Sequence, residues 1–114
     1  MAIDLGQLIT DIKTASSNIL NSDITTLRGF ADDQLTEIAH QAAFVAIGIE
    51  TKQISPDLQD FFLFSLEDMV TNFVQTLRGL TIITMEKIWN SVVNVIWSTI
   101  SKAVGIPLIA PVLK

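Results

Sequence analysis

The chain has 114 residues, of which 49% are hydrophobic and only 17% are charged, and its net charge is −5. The charged fraction lies below the ~25% that is usual in soluble domains, so polar side chains are scarce for covering a small monomer. Cysteine is absent, which excludes disulfides, thiolate metal sites and cysteine nucleophiles. No basic segment precedes an apolar stretch at the N-terminus, so we expect no secretory signal peptide and synthesis in the cytoplasm.

The charge is distributed unevenly along the chain. Residues 1–68 carry eleven acidic and three basic side chains, whereas residues 69–114 carry one acidic and four basic side chains. This gradient is either accidental or typical of a molecule that makes head-to-tail contacts or meets an anionic surface. Because no stripe of lysine and arginine is available to neutralise phosphates, the sequence predicts no nucleic-acid partner.

The N-terminal half predicts two helices. Apolar residues at helical spacing indicate a helix over residues 4–22, with Asp4 as its N-cap. A second helix is predicted over residues 32–53, capped by Asp32 or Asp33. Small residues are frequent in its second half, so we expect this helix to pack centrally against its neighbours. Its expected buried residues are Leu35, Ile38, Ala42, Val45 and Ile49.

The C-terminal half predicts one long helix over residues 56–104, either continuous or bent at Gly79, with a split into two helices at Gly79 as the alternative. Ser55-Pro56-Asp57 is a strong helix start, because serine caps, proline suits the first helical position and aspartate favours the positive helix end. A rod of this length, roughly 70 Å, would exceed a domain of this size and would need partners along it. The apolar stripe that we expect to be buried consists of Leu58, Phe61, Phe62, Leu66, Met69, Phe73 and Leu77.

The last segment of the chain is predicted to be an extended apolar tail. Two prolines between residues 106 and 114 oppose a regular helix there. An apolar tail of this kind is expected to dock, either on its own chain or on a neighbour. The expected fold is therefore all-α, a small helical bundle or helical hairpin, with residues 1–114 forming a single helical domain.

A five-residue motif occurs twice, fifty positions apart. Residues 26–30 read Thr-Leu-Arg-Gly-Phe and residues 76–80 read Thr-Leu-Arg-Gly-Leu. The flanking residues match poorly. We therefore interpret the repeat as chance, or as one helix-ending motif used twice, rather than as a duplicated helix pair.

No group of residues forms a convincing catalytic, cofactor or metal site. Glu37 and His40 have the Glu-x-x-His spacing of di-iron helical bundles, which need this motif twice and two further glutamates. The chain has one histidine, so one copy cannot complete such a site. The glycines form no phosphate-binding motif. The sequence therefore predicts no enzyme, no bound metal and no cofactor.

The segment from Lys87 to Ala103 is apolar over most of a helical circumference. A helix of this kind must be surrounded, either by its own bundle, by other subunits of an oligomer or by lipid. A complete membrane span is not expected, because the charge-free stretch is shorter than the ~20 residues that a span needs. The predicted oligomer or lipid contacts are Trp89, Val93, Ile96, Trp97, Ile100, Ile106, Leu108 and Ile109.

These patterns favour a non-enzymatic structural or assembly subunit that packs through apolar helices into a homo-oligomer or a larger particle. A viral or phage particle and a secretion or filament assembly both fit this description. The alternative is a membrane-active or membrane-associated helical protein, such as a pore, a lysis factor or a peripheral layer.

Overall fold

The computed structural model describes residues 3–113, and all regular structure in this range is helical. The predicted all-α class is therefore confirmed. In chain order the elements are α1 (Leu5–Leu20), a 3₁₀ turn (Ile24–Thr26), α2 (Asp32–Glu50), α3 (Pro56–Thr76) and α4 (Ile82–Val104).

The boundaries of the first two helices follow from local capping. Asp4 caps α1 as predicted, because its carboxylate accepts a hydrogen bond from the backbone N–H of Gln7 at 3.0 Å. The expected caps of α2 need correction. Asp32 and Asp33 lie inside the first turn, where a negative charge favours the helix dipole, and the N-cap is Ala31, which makes no side-chain cap bond.

The turn between α1 and α2 is organised by Asp23. Its carboxylate accepts hydrogen bonds from the backbone N–H of Thr25 at 2.9 Å and from the Thr25 hydroxyl at 2.8 Å. These bonds stabilise the ionised form and so lower the pKa of Asp23. The turn directs the buried Ile24 side chain into the core.

The single long helix predicted over residues 56–104 is not observed. α3 ends at Thr76, and α4 begins at Ile82. Gly79 has a φ of +81°, which is left-handed and incompatible with a continuing helix. The new helix start is fixed by Thr81, whose hydroxyl oxygen accepts a hydrogen bond from the Thr84 N–H at 3.1 Å. The chain therefore folds back at this point.

α2 and α4 lie at the centre of the bundle, since each packs against all three other helices; the central packing expected for α2 is thus observed. The described chain has a radius of gyration of 13.7 Å, close to the ~13 Å expected of a folded chain of this length. One cluster of buried side chains runs through all four helices. The bulkiest fully buried members include Leu8, Ile12, Ile24, Leu35, Ile38, Leu66, Phe73, Ile88, Ile96 and Ile100.

The buried face of α3 is rotated relative to the predicted stripe. Leu66, Phe73 and Leu77 are buried as expected, but Leu58 and Phe61 are 49% and 66% exposed. The first turns of α3 carry apolar residues around most of the circumference, so periodicity alone did not fix which side faces the core. The buried residues of α3 itself are Leu63, Leu66, Val70, Phe73 and Val74.

Candidate interaction surfaces

The predicted contact residues of α4 lie in the interior of this chain. All five have exposed fractions of 5% or less and contact the core formed by the other helices. Of the three surroundings considered for this segment, the structure places it in the chain's own bundle, so no partner reaches these side chains in this fold. The residues are Trp89, Val93, Ile96, Trp97 and Ile100.

Trp89 also has its polar atom satisfied inside the chain. Its indole Nε1–H donates a hydrogen bond to the Thr71 hydroxyl oxygen on α3 at 3.0 Å. A buried tryptophan with a partner for its N–H is a stable core residue. The large apolar residues that nearly encircle the segment Lys87–Ala103 are therefore mostly covered by intramolecular packing, and exposed apolar surfaces are found elsewhere.

The three predicted tail residues lie on an extended segment, residues 106–113, which we call the strap. Ile106 and Ile109 are 43% and 94% exposed, whereas Leu108 is half-buried against the core. The strap starts after Gly105, whose left-handed backbone (φ +71°) ends α4. It then runs back along α4, so the predicted docking takes place on its own chain.

Two polar side chains of α4 hold the strap. Asn90 binds the backbone of Leu113 twice: its Oδ1 accepts from the Leu113 N–H at 2.7 Å, and its Nδ2 donates to the Leu113 carbonyl at 3.3 Å. At the other end, the Ser101 hydroxyl donates to the Ile106 carbonyl at 2.6 Å. The strap thus lies along one edge of the polar side of α4, while Asn94 and Ser98 on that side remain exposed.

Leu113 also borders a cavity of about 260 Å³ between the second half of α3 and the start of α4. Its walls are mainly apolar, and the half-buried Met85 and the buried Trp89 belong to them. The full lining is Thr71, Val74, Gln75, Ile82, Met85, Glu86, Trp89 and Leu113.

A second apolar surface, which we call the α2–α3 corner, lies where α2 ends and α3 begins. Four large side chains there remain about half or more exposed; Phe44, Ile47 and Leu58 line a cavity of about 250 Å³, and Phe61 contacts Phe62, which also lines it. The four exposed side chains are Phe44 (57%), Ile47 (48%), Leu58 (49%) and Phe61 (66%). No other segment of residues 3–113 brings two exposed phenylalanines from different helices into one ring cluster.

The aromatic rings of the corner are linked through Phe62. The ring of Phe62 lies 6.1 Å from that of Phe44 on α2 and 5.4 Å, edge to face, from that of Phe61. Both distances lie in the range of favourable aromatic pairs. The corner is therefore a connected aromatic surface, not a set of isolated apolar residues.

Gly48 makes the corner concave. The buried Ile54 folds back over it, and the Ile54 N–H donates to the Gly48 carbonyl at 2.9 Å. A Cβ at Gly48 would lie 2.4 Å from the Ile54 side chain. The small residue near the end of α2 therefore lets the connection to α3 pack tightly.

Acidic residues border the corner on α3. Asp57 and Asp60 are both exposed and lie in the first two turns, on either side of Leu58. Farther along the same helix, partial burial raises the pKa of Glu67, and the neighbouring charge of Asp68 raises it further. The corner therefore combines an apolar centre with an acidic edge.

The residues considered for metal chemistry do not come together. Glu37 and His40 are exposed on α2, and residues 3–113 contain no group of three or more histidine, cysteine or acidic side chains that could hold a metal ion. Within the same range, no helix has the length and apolarity needed to cross a membrane. The absence of an enzyme function remains a prediction.

The sequence did not identify Phe44 and Ile47. Both fall outside the buried face predicted for α2, which consists of Leu35, Ile38, Ala42, Val45 and Ile49, and all five of those residues are buried as expected. The signal was therefore present: large apolar residues that a correct helical face leaves over must be exposed.

Comparisons with models of known protein families, with curated proteins and with solved structures found no match to this chain. The geometry of the α2–α3 corner and of the strap therefore provides the basis for proposing a function.

Proposed function

We propose that this chain is a non-enzymatic assembly subunit that packs into a homo-oligomer or a larger particle through the α2–α3 corner. The observation that carries the proposal is the cluster of exposed apolar residues Phe44, Ile47 and Leu58 around one concavity, which the exposed Phe61 extends through its contact with Phe62. Single exposed apolar residues are normal on monomers, but contiguous apolar patches mark interaction sites.

The composition of the corner supports this role. Aromatic residues are enriched at the centres of protein interfaces, and charged residues are usually confined to the rim. The corner has this arrangement, with the exposed Phe44 and the half-buried Phe62 lining its cavity and the exposed Asp57 and Asp60 nearby on α3. Since Phe62 positions both neighbouring rings, little side-chain freedom would be lost when a partner covers them.

Burial of the corner can offset much or all of the cost of association. Covering about 300 Å² of apolar surface on each of two partners would contribute roughly 15 kcal/mol at ~25 cal/mol per Å². The loss of translational and rotational freedom offsets about 4–15 kcal/mol of this gain. The expected outcome is a concentration-dependent multimer.

Size-exclusion chromatography with light scattering tests the proposal. The wild-type chain should show a mass above 12.5 kDa that increases with concentration. Phe61→Asp should shift the protein toward the monomer at unchanged helix content, because a charge would enter the centre of the interface. Ile83→Asp is the matched control, because Ile83 has the same 66% exposure but lies at the start of α4.

The expected result for the control is an unchanged mass. A wild-type protein that stays at 12.5 kDa over the whole concentration range, or a Phe61→Asp variant with the wild-type mass, would contradict the proposal. Recovery of the protein only with lipid vesicles would favour the membrane-associated alternative, for which the acidic edge of the corner is unfavourable on anionic lipid.

A further inference from the structure

The strap is bound to the rest of the chain in the way that a peptide ligand is bound to a groove. The hydrogen bonds that hold residues 106–113 come from two side chains of α4, Asn90 and Ser101. Pro107 and Pro111 have no N–H and favour extended backbone. The apolar contacts with the core are made by Leu108 and Ala110.

We propose that the strap is exchangeable between copies. Residues 106–113 of one chain would then occupy, on another chain, the surface of α4 from Asn90 to Ser101, which we call the α4 groove. This inference deepens the assembly role proposed above and rests on it. The occupant is a second copy because the groove already holds this segment: an identical strap finds the same Asn90, the same Ser101 and the same apolar wall.

The connection to α4 is suited to a change of direction. Gly105 is exposed and has a φ of +71°, and a Cβ at this position would meet no atom within 4 Å. The strap could therefore leave α4 at another angle without disturbing packed side chains at the hinge. Such a single-residue connection between a packed helix and a separable segment is an arrangement that permits domain swapping.

The outer side of the strap carries exposed apolar side chains whose burial would favour exchange. Ile109 and Val112 are 94% and 67% exposed while the strap lies on its own chain. An exchanged strap would cross between two copies, and any contact of these side chains with the neighbouring copy would add apolar burial. Within one chain, the short link keeps the strap at an effective concentration on the order of millimolar, so exchange should depend on protein concentration or on prior association of the copies.

Disulfide trapping tests the exchange in full-length chains. Because the natural chain has no cysteine, two variants with one cysteine each can be mixed: Leu113→Cys on the strap and Glu86→Cys on the groove. Both positions border the same cavity. Oxidation of the mixture should link two different chains, with a yield that rises with concentration.

The matched control replaces the groove variant with Thr14→Cys, which is exposed on α1 and lies outside the cavity. We expect the groove pair to give at least about fivefold more linked heterodimer than the control pair, as effective concentration at a specific site requires. Asn90→Ala in the groove variant should lower the yield, since it removes both hydrogen bonds to Leu113.

The chain that carries both cysteines calibrates the reaction, because it should close within one molecule. If it does not close, Ile82→Cys, which lines the same cavity, replaces Glu86→Cys. Equal yields from the groove and control pairs, while the calibrating chain closes, would overturn the exchange. A multimer without this linkage overturns strap exchange alone, whereas a monomer at every concentration overturns the proposed function as well.

Discussion

The loops 26–30 and 76–80 have nearly the same residues and nearly the same backbone, but they lie in different surroundings. Leu27 and Leu77 are extended, with ψ values of 139° and 142°, and each N–H bonds the carbonyl three residues earlier. Gly29 and Gly79 follow with φ values of +88° and +81°. The helices that come next begin at positions 32 and 82, again fifty residues apart.

The two loops also lie side by side. The Arg78 N–H donates to the Arg28 carbonyl at 2.9 Å. The space around the two glycines differs. A Cβ on Gly29 would lie 1.8 Å from the Thr76 carbonyl oxygen, whereas a Cβ on Gly79 would meet no atom within 4 Å. The five-residue motif therefore forms the same turn twice. Tertiary packing determines how strictly glycine is required at each of its two occurrences.

The largest effect is expected for Gly29→Ala. The new Cβ would collide with backbone atoms of Thr76, and the left-handed φ is unfavourable for alanine as well. The free energy of unfolding should fall by about 3 kcal/mol, the size typical of severe backbone strain. Urea unfolding followed by circular dichroism measures this change, and a loss smaller than that of the Gly79 variant would contradict the close approach of the two loops.

A smaller loss is expected for Gly79→Ala. The position has the same positive φ but open space around the Cβ, so only the conformational cost of about 1–1.5 kcal/mol applies. The same unfolding measurement decides the result. A neutral or stabilising substitution would indicate that the helix continues through this position, as the apolar spacing by itself predicts.

The sequence left the break near Gly79 open for a physical reason. The apolar spacing of α3 continues in register into α4, and the only cap available is Thr81 with Thr84, which lacks the glutamate of a capping box. The face of α2 was predictable because its large and small residues alternate at helical spacing. A docking tail was predictable from its prolines and apolar residues, but its position on α4 was not, because Asn90 reaches Leu113 across 23 residues, and no local pattern records such a pair.

The two helix hairpins, α1–α2 and α3–α4, carry different residues at two buried positions that are fifty residues apart in the chain, 16 and 66. Ser16 on α1 and Leu66 on α3 are both fully buried, but the Ser16 hydroxyl has no hydrogen-bond partner among the described residues. Ser16→Ala should raise the free energy of unfolding by about 1 kcal/mol, because a buried unpaired hydroxyl is removed. Thermal unfolding at matched protein concentration measures the gain.

The neighbouring serine provides the control for this substitution. The Ser17 hydroxyl oxygen accepts a hydrogen bond from the Ile24 N–H at 3.0 Å, so Ser17→Ala should lower stability by about 1 kcal/mol. If both substitutions lowered stability equally, the Ser16 hydroxyl would have to be satisfied, and the difference between the hairpins at this position would disappear.

The smallest effect is expected where the two loops differ in their helix caps. Thr81 caps α4 through its hydroxyl, whereas the corresponding Ala31 offers α2 no side-chain cap. Ala31→Ser should therefore stabilise the protein by about 0.5 kcal/mol, near the low end of measured capping energies, because Ala31 has a φ of −137° and the serine must adjust its backbone to reach the helix N–H groups. Thr81→Ala, measured in parallel, should lose about 1 kcal/mol. The contrary outcome is no gain from Ala31→Ser together with a loss from Thr81→Ala. It would mean that the five-residue motif forms the same turn in both loops but leaves position 31 with a backbone geometry unsuited to side-chain capping.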